Sequence, residues 1–116
     1  HWMILSTGVT GVGIGMNVQK GRIYVDLYFH GGAERNLSRL EHLKAHRKEV
    51  EDTFGNSLSW EELPNKKACR IGFYGQGSVL DEDSWPQAQD WLVDVALRFA
   101  QVSELDVFKE LRTIDA

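Results

Sequence analysis

The sequence predicts an α+β domain: a mostly antiparallel four-stranded sheet, in the order strand-strand-helix-strand-strand-helix, with two helices packed on one face. Two adjoining segments near the start alternate apolar and polar residues, as half-buried strands do. Two longer segments carry apolar residues at helical spacing. Between those helices lies a second pair of short alternating runs separated by a turn signal.

The first strand is Gly8 to Val18, where Val12, Ile14, Met16 and Val18 alternate with Gly11, Gly13, Gly15 and Asn17. Its apolar side chains therefore share one face. Gln19-Lys20-Gly21 is a turn signal, and Arg22 to His30 forms the second strand. There Ile23, Val25, Leu27 and Phe29 face one way; Arg22, Tyr24, Asp26, Tyr28 and His30 face the other. A short leading strand over Trp2 to Leu5 is a further candidate.

Gly31-Gly32 ends the hairpin, and one helix is expected from about Ala33 to Phe54. Its stripe is Leu37, Leu40, Leu43, Val50 and Phe54, with Gly55 placed for a left-handed C-terminal residue. Leu58 to Leu63 and Ala68 to Tyr74 are the next strands, joined by a turn at Pro64-Asn65. Gly75-Gln76-Gly77-Ser78 reads as a loop. Ser84-Trp85-Pro86-Gln87 has the form of a capping box and opens the last helix. That helix turns Trp85, Ala88, Leu92, Val95, Phe99 and Val102 to one side. Leu105, Phe108 and Leu111 continue the pattern after a break near Ser103.

At 116 residues the chain is expected to be one domain, 1-116, with a single core. A content of 42% hydrophobic and 26% charged residues argues against wholesale disorder. The net charge of -4 is uneven: residues 1–80 hold ten Lys and Arg against eight Asp and Glu, and residues 81–116 hold three against nine. That balance excludes a strongly cationic module held to nucleic acid by counterion release alone. Asp81, Glu82 and Asp83 stand where a helix dipole favours negative charge, so part of the acidic bias needs no partner. One cysteine, Cys69, allows no intrachain disulfide and favours a reducing compartment, so a cytoplasmic location is expected. No run approaches membrane-spanning length. The chain opens His1-Trp2-Met3, without an initiator methionine, and is read as a domain excised from a longer protein.

Each chemical motif weakens when its geometry is considered. The series Gly11-Val12-Gly13-Ile14-Gly15 lies inside a strand followed by another strand, whereas a dinucleotide loop needs G-x-G-x-x-G leading into a helix. Close approach of another group to the sheet, or relief of twist, explains these glycines better. His42 and His46 are four apart on the expected helix, but they supply only two ligands. No metal and no cofactor is expected. Arg47 takes a seam position where an apolar residue was due, and Glu51 stands one turn on to pair with it. Cys69 lies in an apolar-alternating strand and reads as a small core residue.

The most informative surface is the sheet face opposite the helices. Arg22, Tyr24, Asp26, Tyr28, Arg70 and Tyr74 share it with Gly11, Gly13 and Gly15. Rings and guanidinium groups beside bare backbone suit base stacking, a protein interface, or ordinary cross-strand pairing, the last being the simplest.

Several stretches together resemble the bacterial family catalogued as domain of unknown function 4268. They are Arg22-Ile23-Tyr24-Val25-Asp26-Leu27-Tyr28, Asn36-Leu37 with Leu40, Val50-Glu51, Phe54-Gly55, Leu58, Trp60-Glu61 and Leu63. Lys66-Lys67-Ala68, Arg70-Ile71, Asp83, Trp85 and Trp91-Leu92 complete them. The resemblance implies the C-terminal part of a longer protein whose preceding region is often nuclease-like, and it brings no catalytic residues with it. A restriction-type core needs an acidic strand residue followed by an E-x-K or D-x-K triplet; Asp26 is on a strand, but no such triplet follows. The expected role is therefore a non-catalytic accessory domain, aiding nucleic-acid recognition or assembly of a nuclease-like protein, with DNA met through the full-length protein. The alternative is a homo-oligomerisation or docking module using the Tyr/Arg face or the apolar tail at Leu105, Phe108 and Leu111.

Overall fold

A computed structural model describes residues 3–19, 21–63, 68–75 and 82–114. Among these residues five strands form one antiparallel sheet: β1 (Met3–Ser6), β2 (Val12–Gln19), β3 (Arg22–Phe29), β4 (Ser59–Glu62) and β5 (Cys69–Gly75). Their spatial order is β1-β2-β3-β5-β4. Four α-helices accompany them: α1 (Ala33–Lys44), α2 (Arg47–Phe54), α3 (Trp85–Ser103) and α4 (Asp106–Lys109), with 3-10 turns at Glu82–Ser84 and Glu110–Thr113.

The α+β class stands, but the sheet has five strands instead of four. The added strand is β1, close to the leading candidate at Trp2 to Leu5. It pairs Ile4 with Gly15 and Ser6 with Gly13. A Cβ built on Gly13 would lie 2.8 Å from Cγ2 of Ile4, so part of the glycine series makes room for this neighbour. The expected strand from Gly8 begins only at Val12, because Gly8 and Gly11 take positive φ in the preceding turn. Pro64-Asn65 and Gln76 to Ser78, expected in turns, lie outside the described residues.

The single helix expected over Ala33 to Phe54 is two. It breaks at Ala45-His46, where His46 adopts φ -114 and ψ 31. In an unbroken helix the Leu40–Val50 seam would carry the Arg47 guanidinium inward, at a cost in desolvation. With the break, Arg47 is half exposed and pairs with Glu51 at 3.3 Å, while Val50 and Phe54 remain buried. Gly55 ends α2 at φ 97 and donates its N–H to the Glu51 carbonyl.

The buried face of α1 also differs from its apolar stripe. Leu37 is exposed, and Asn36 and Arg39 are buried beside Leu40 and Leu43. Arg39 donates to the carbonyls of Thr10, at 2.7 Å, and Leu111, at 3.2 Å. Asn36 Oδ1 accepts from the Gly31 N–H. These side chains satisfy backbone groups at the two glycine turns, Thr10 and Gly31, and at Leu111 in the C-terminal 3-10 turn.

Ser84 begins α3 with Pro86 in the first turn, but the expected capping box does not form. Ser84 already has helical φ and ψ, because the 3-10 turn runs directly into the helix, and it makes no side-chain capping bond. The break near Ser103 is present, since α3 stops there and α4 resumes at Asp106.

One apolar cluster joins side chains of the sheet to side chains of the helices. Ile14, Val25, Leu27 and Ile71 supply the sheet side, and Leu43, Phe54, Phe99 and Phe108 the helical side. Phe54 packs on Phe99 at 4.6 Å between ring centroids and on Phe73 at 5.0 Å. Phe73 in turn stacks on Trp91. Cys69 is buried within the cluster.

Candidate functional site

Strand alternation leaves the other face of the sheet to polar and aromatic residues. In β3, Arg22, Tyr24, Asp26 and Tyr28 point to that face because Ile23, Val25, Leu27 and Phe29 are committed to the core. The β3–β5 register sets Tyr74 opposite Tyr24, Gly72 opposite Asp26 and Arg70 opposite Tyr28. All six residues singled out from sequence therefore belong to one continuous face.

Arg22, Tyr24 and Tyr74 form a layered group at one end. The two rings are tilted, with centroids 4.9 Å apart. The Arg22 guanidinium lies 5.1 Å from the centroid of each. Its Nε donates to Gln19 Oε1 at 3.0 Å, and Gln19 Nε2 in turn meets the Tyr24 hydroxyl at 3.3 Å. Tyr74 lies down along its own strand, so that a Cβ on Gly72 would sit 3.2 Å from its ring. This posture lets its hydroxyl donate to Glu61 Oε2 at 2.6 Å, an oxygen that also accepts from Ser59. Burial, with the Glu61 carboxylate alongside, pushes the Tyr74 phenol up to about 12.

Asp26 occupies the middle of the face and is fully buried. Asn17, on the neighbouring strand, donates to its Oδ1 at 3.3 Å, and Arg70 Nε stands 3.9 Å from its Oδ2. The Arg70 guanidinium also lies 5.2 Å from the Tyr24 ring centroid. Burial raises the Asp26 carboxyl to about 6, and Arg70 and Asn17 offset only part of that rise. At the far end Tyr28 stacks on His30 at 5.8 Å.

The face is not uniformly open. Tyr24 is 4% exposed and Asp26 is wholly enclosed, whereas Arg22 is exposed and Tyr28, Arg70 and Tyr74 are partly so. A ligand arriving here meets Arg22, Tyr28, Arg70 and Tyr74 first; Tyr24 and Asp26 support them from below. Asn17 and Glu61 belong to the same network but were not singled out from sequence. Parity could have found Glu61: Trp60 packs against the core, so its neighbour must face away.

The histidine pair is differently placed. The His42 and His46 rings are 5.6 Å apart across the helix break, and His42 Nε2 lies 3.0 Å from Glu110 Oε1. No three metal-ligating side chains converge among the described residues. No helix among them is long and apolar enough to cross a membrane.

Fold and face together define a small antiparallel α+β domain whose sheet carries arginine–tyrosine layers around a buried aspartate. The chain belongs to the family described as Domain of unknown function (DUF4268), whose profile matches residues 1–105. No curated protein and no solved structure matches it.

Proposed function

We propose that this domain is a non-catalytic recognition module that holds single-stranded nucleic acid across the polar face of its sheet, on behalf of a longer, nuclease-like protein. The reading takes the domain as two layers, with the helices on the Ile14–Val25–Ile71 side and the polar face left for a ligand. One observation carries it: the exposed Arg22 guanidinium lies over both the buried Tyr24 and the partly exposed Tyr74, setting a cation beside the Tyr74 ring. Bases stack on such surfaces with little sequence preference, and each stack contributes about 1–3 kcal/mol. Phosphates are drawn to the same arginines.

The test is fluorescence anisotropy of labelled single strands and duplexes with the purified domain. Single strands are expected to bind, with affinity falling steeply as salt rises from about 50 to about 200 mM. Arg22→Ala and Tyr74→Ala should each weaken the complex. Absence of binding at the lower salt ends this reading.

A docking role is the second reading, and β1 favours it. This short edge strand is exposed at Ile4 and Leu5 and carries no charge to discourage pairing with another strand. A concentration-dependent dimer in sedimentation, abolished by Leu5→Lys, would support docking.

A further inference from the structure

The polar face contains an acid that the binding role does not itself require. Asp26 lies at the centre of the middle strand, enclosed, with Arg70 Nε 3.9 Å from its carboxylate and Asn17 as a hydrogen-bond donor. We infer that Asp26 is a proton-operated latch on Arg70: ionised, it draws the guanidinium down against the sheet, and protonated, it releases that guanidinium to an anionic ligand. The inference rests on the reading of this face as a surface that receives the phosphates of a single strand, and it names how that surface is regulated.

The geometry favours a latch over a permanent ion pair. Arg70 Nε stands 3.9 Å from Asp26 Oδ2, which is attraction without a close hydrogen bond. The same nitrogen is buried without a hydrogen-bond partner. A phosphate oxygen at hydrogen-bonding distance would serve Arg70 better than a carboxylate held at 3.9 Å. Asn17 can still donate to Oδ1 after Asp26 takes a proton, so the neutral acid keeps a partner in the sheet.

The strands around Asp26 bring the following side chains to its face. From β2 come Asn17 and Gln19, neither titratable; from β3 come Arg22, Tyr24 and Tyr28. From β5 come Arg70 and Tyr74, and from β4 comes Glu61, which opposes ionisation of Asp26. Ile4 and Ser6 of β1 share the face and add no charge. Arg70 contributes most among the positive charges that favour the ionised acid, ahead of the chain's amino terminus, and a ligand that engages Arg70 weakens that support. Binding and proton uptake are then reciprocal: whatever factor the ligand adds to proton affinity, the proton adds to ligand affinity.

Two experiments separate the latch from the binding role. In the free domain, the Asp26 carboxyl carbon and the Arg70 Nε–H are followed by NMR from about pH 4 to about pH 8. Both should titrate together, and the Arg70 signal should lose its pH dependence in Asp26→Asn. An Arg70 signal that ignores the Asp26 titration overturns the latch, whether or not any oligonucleotide binds. In the second, an oligothymidine strand is titrated at about pH 7.5 and about pH 5.5. Wild type should bind roughly tenfold tighter at the lower pH, and Asp26→Asn should bind tightly at both. His30 shares the face, so His30→Gln is run alongside and should keep the wild-type slope. An equal slope in wild type and Asp26→Asn overturns the latch. Coupled titration in the free domain with no binding at either pH leaves the ion-pair chemistry standing and removes the nucleic-acid reading.

Discussion

Glu51 Oε2 accepts two hydrogen bonds from beyond the helix that carries it: the Leu58 N–H at 2.7 Å and the Trp60 indole N–H at 3.2 Å. One carboxylate thereby fixes the exit from α2, the start of β4 and the Trp60 ring. Glu61, next to that ring, is in this way presented to Tyr74 on the polar face. The contact shows how remote packing positions the candidate surface.

Replacing Glu51 by Ala leaves the Leu58 and Trp60 donors without this acceptor and should lower stability by about 1–3 kcal/mol. Glu51→Gln keeps an acceptor oxygen and should cost less. Burial alone would raise the Glu51 carboxyl, but the Leu58, Trp60 and Arg47 contacts hold it below its ordinary value. Its contribution is therefore present above the unfolded pKa and is lost as pH falls through the folded one. Urea unfolding of the variants checks both effects, and equal midpoints for wild type and Glu51→Ala would refute them.

Asp26 has the opposite sign. Its folded pKa of about 6 lies above the ordinary 3.8, so the folded state holds the proton more tightly. Stability from this group is full below pH 3.8 and declines until the pH passes about 6, a change of about 3 kcal/mol. Asp26→Asn should lack that decline. The difference between the two urea-derived profiles isolates Asp26 from the other carboxyl groups, and superimposable profiles would contradict the burial argument.

Gly75 ends β5 beneath Trp91, and a Cβ there would come within 2.6 Å of the indole. Gly75→Ala must displace the ring from its stack on Phe73 and should cost about 1–3 kcal/mol. The indole fluorescence and the thermal midpoint should change together.

Gly13→Ala is expected to loosen β1, since its Cβ would press on Ile4. Amide exchange should quicken in Met3–Ser6 with only a small global loss, because β1 is a short edge strand. Adding Ile4→Ala should restore part of the protection, a non-additive outcome diagnostic of direct contact.

Much of this architecture was legible from periodicity. The eight-residue alternations of β2 and β3 fixed which side chains share a face, and the register of β5 follows the same parity. What escaped has physical causes. Four residues of β1 are too few to show a period. The break at Ala45-His46 carries neither Gly nor Pro, and it leaves Arg47 half exposed and paired with Glu51. Arg39 has the look of a surface residue, and its burial depends on carbonyls far away in sequence, at Thr10 and Leu111. Alternation groups Arg22, Tyr24, Asp26, Tyr28, Arg70 and Tyr74 on one face of the sheet, but it carries no information on depth. It could not show that Tyr24 and Asp26 lie beneath their neighbours.

The central claim is that the polar face of the sheet receives the ligand, and amide chemical-shift mapping with an oligothymidine strand tests it most directly. Shifts should concentrate at Arg22, Tyr28, Arg70 and Tyr74 and fade as salt is added. Shifts confined to the exposed Val93 and Leu97 of α3, or none at any salt, would contradict it.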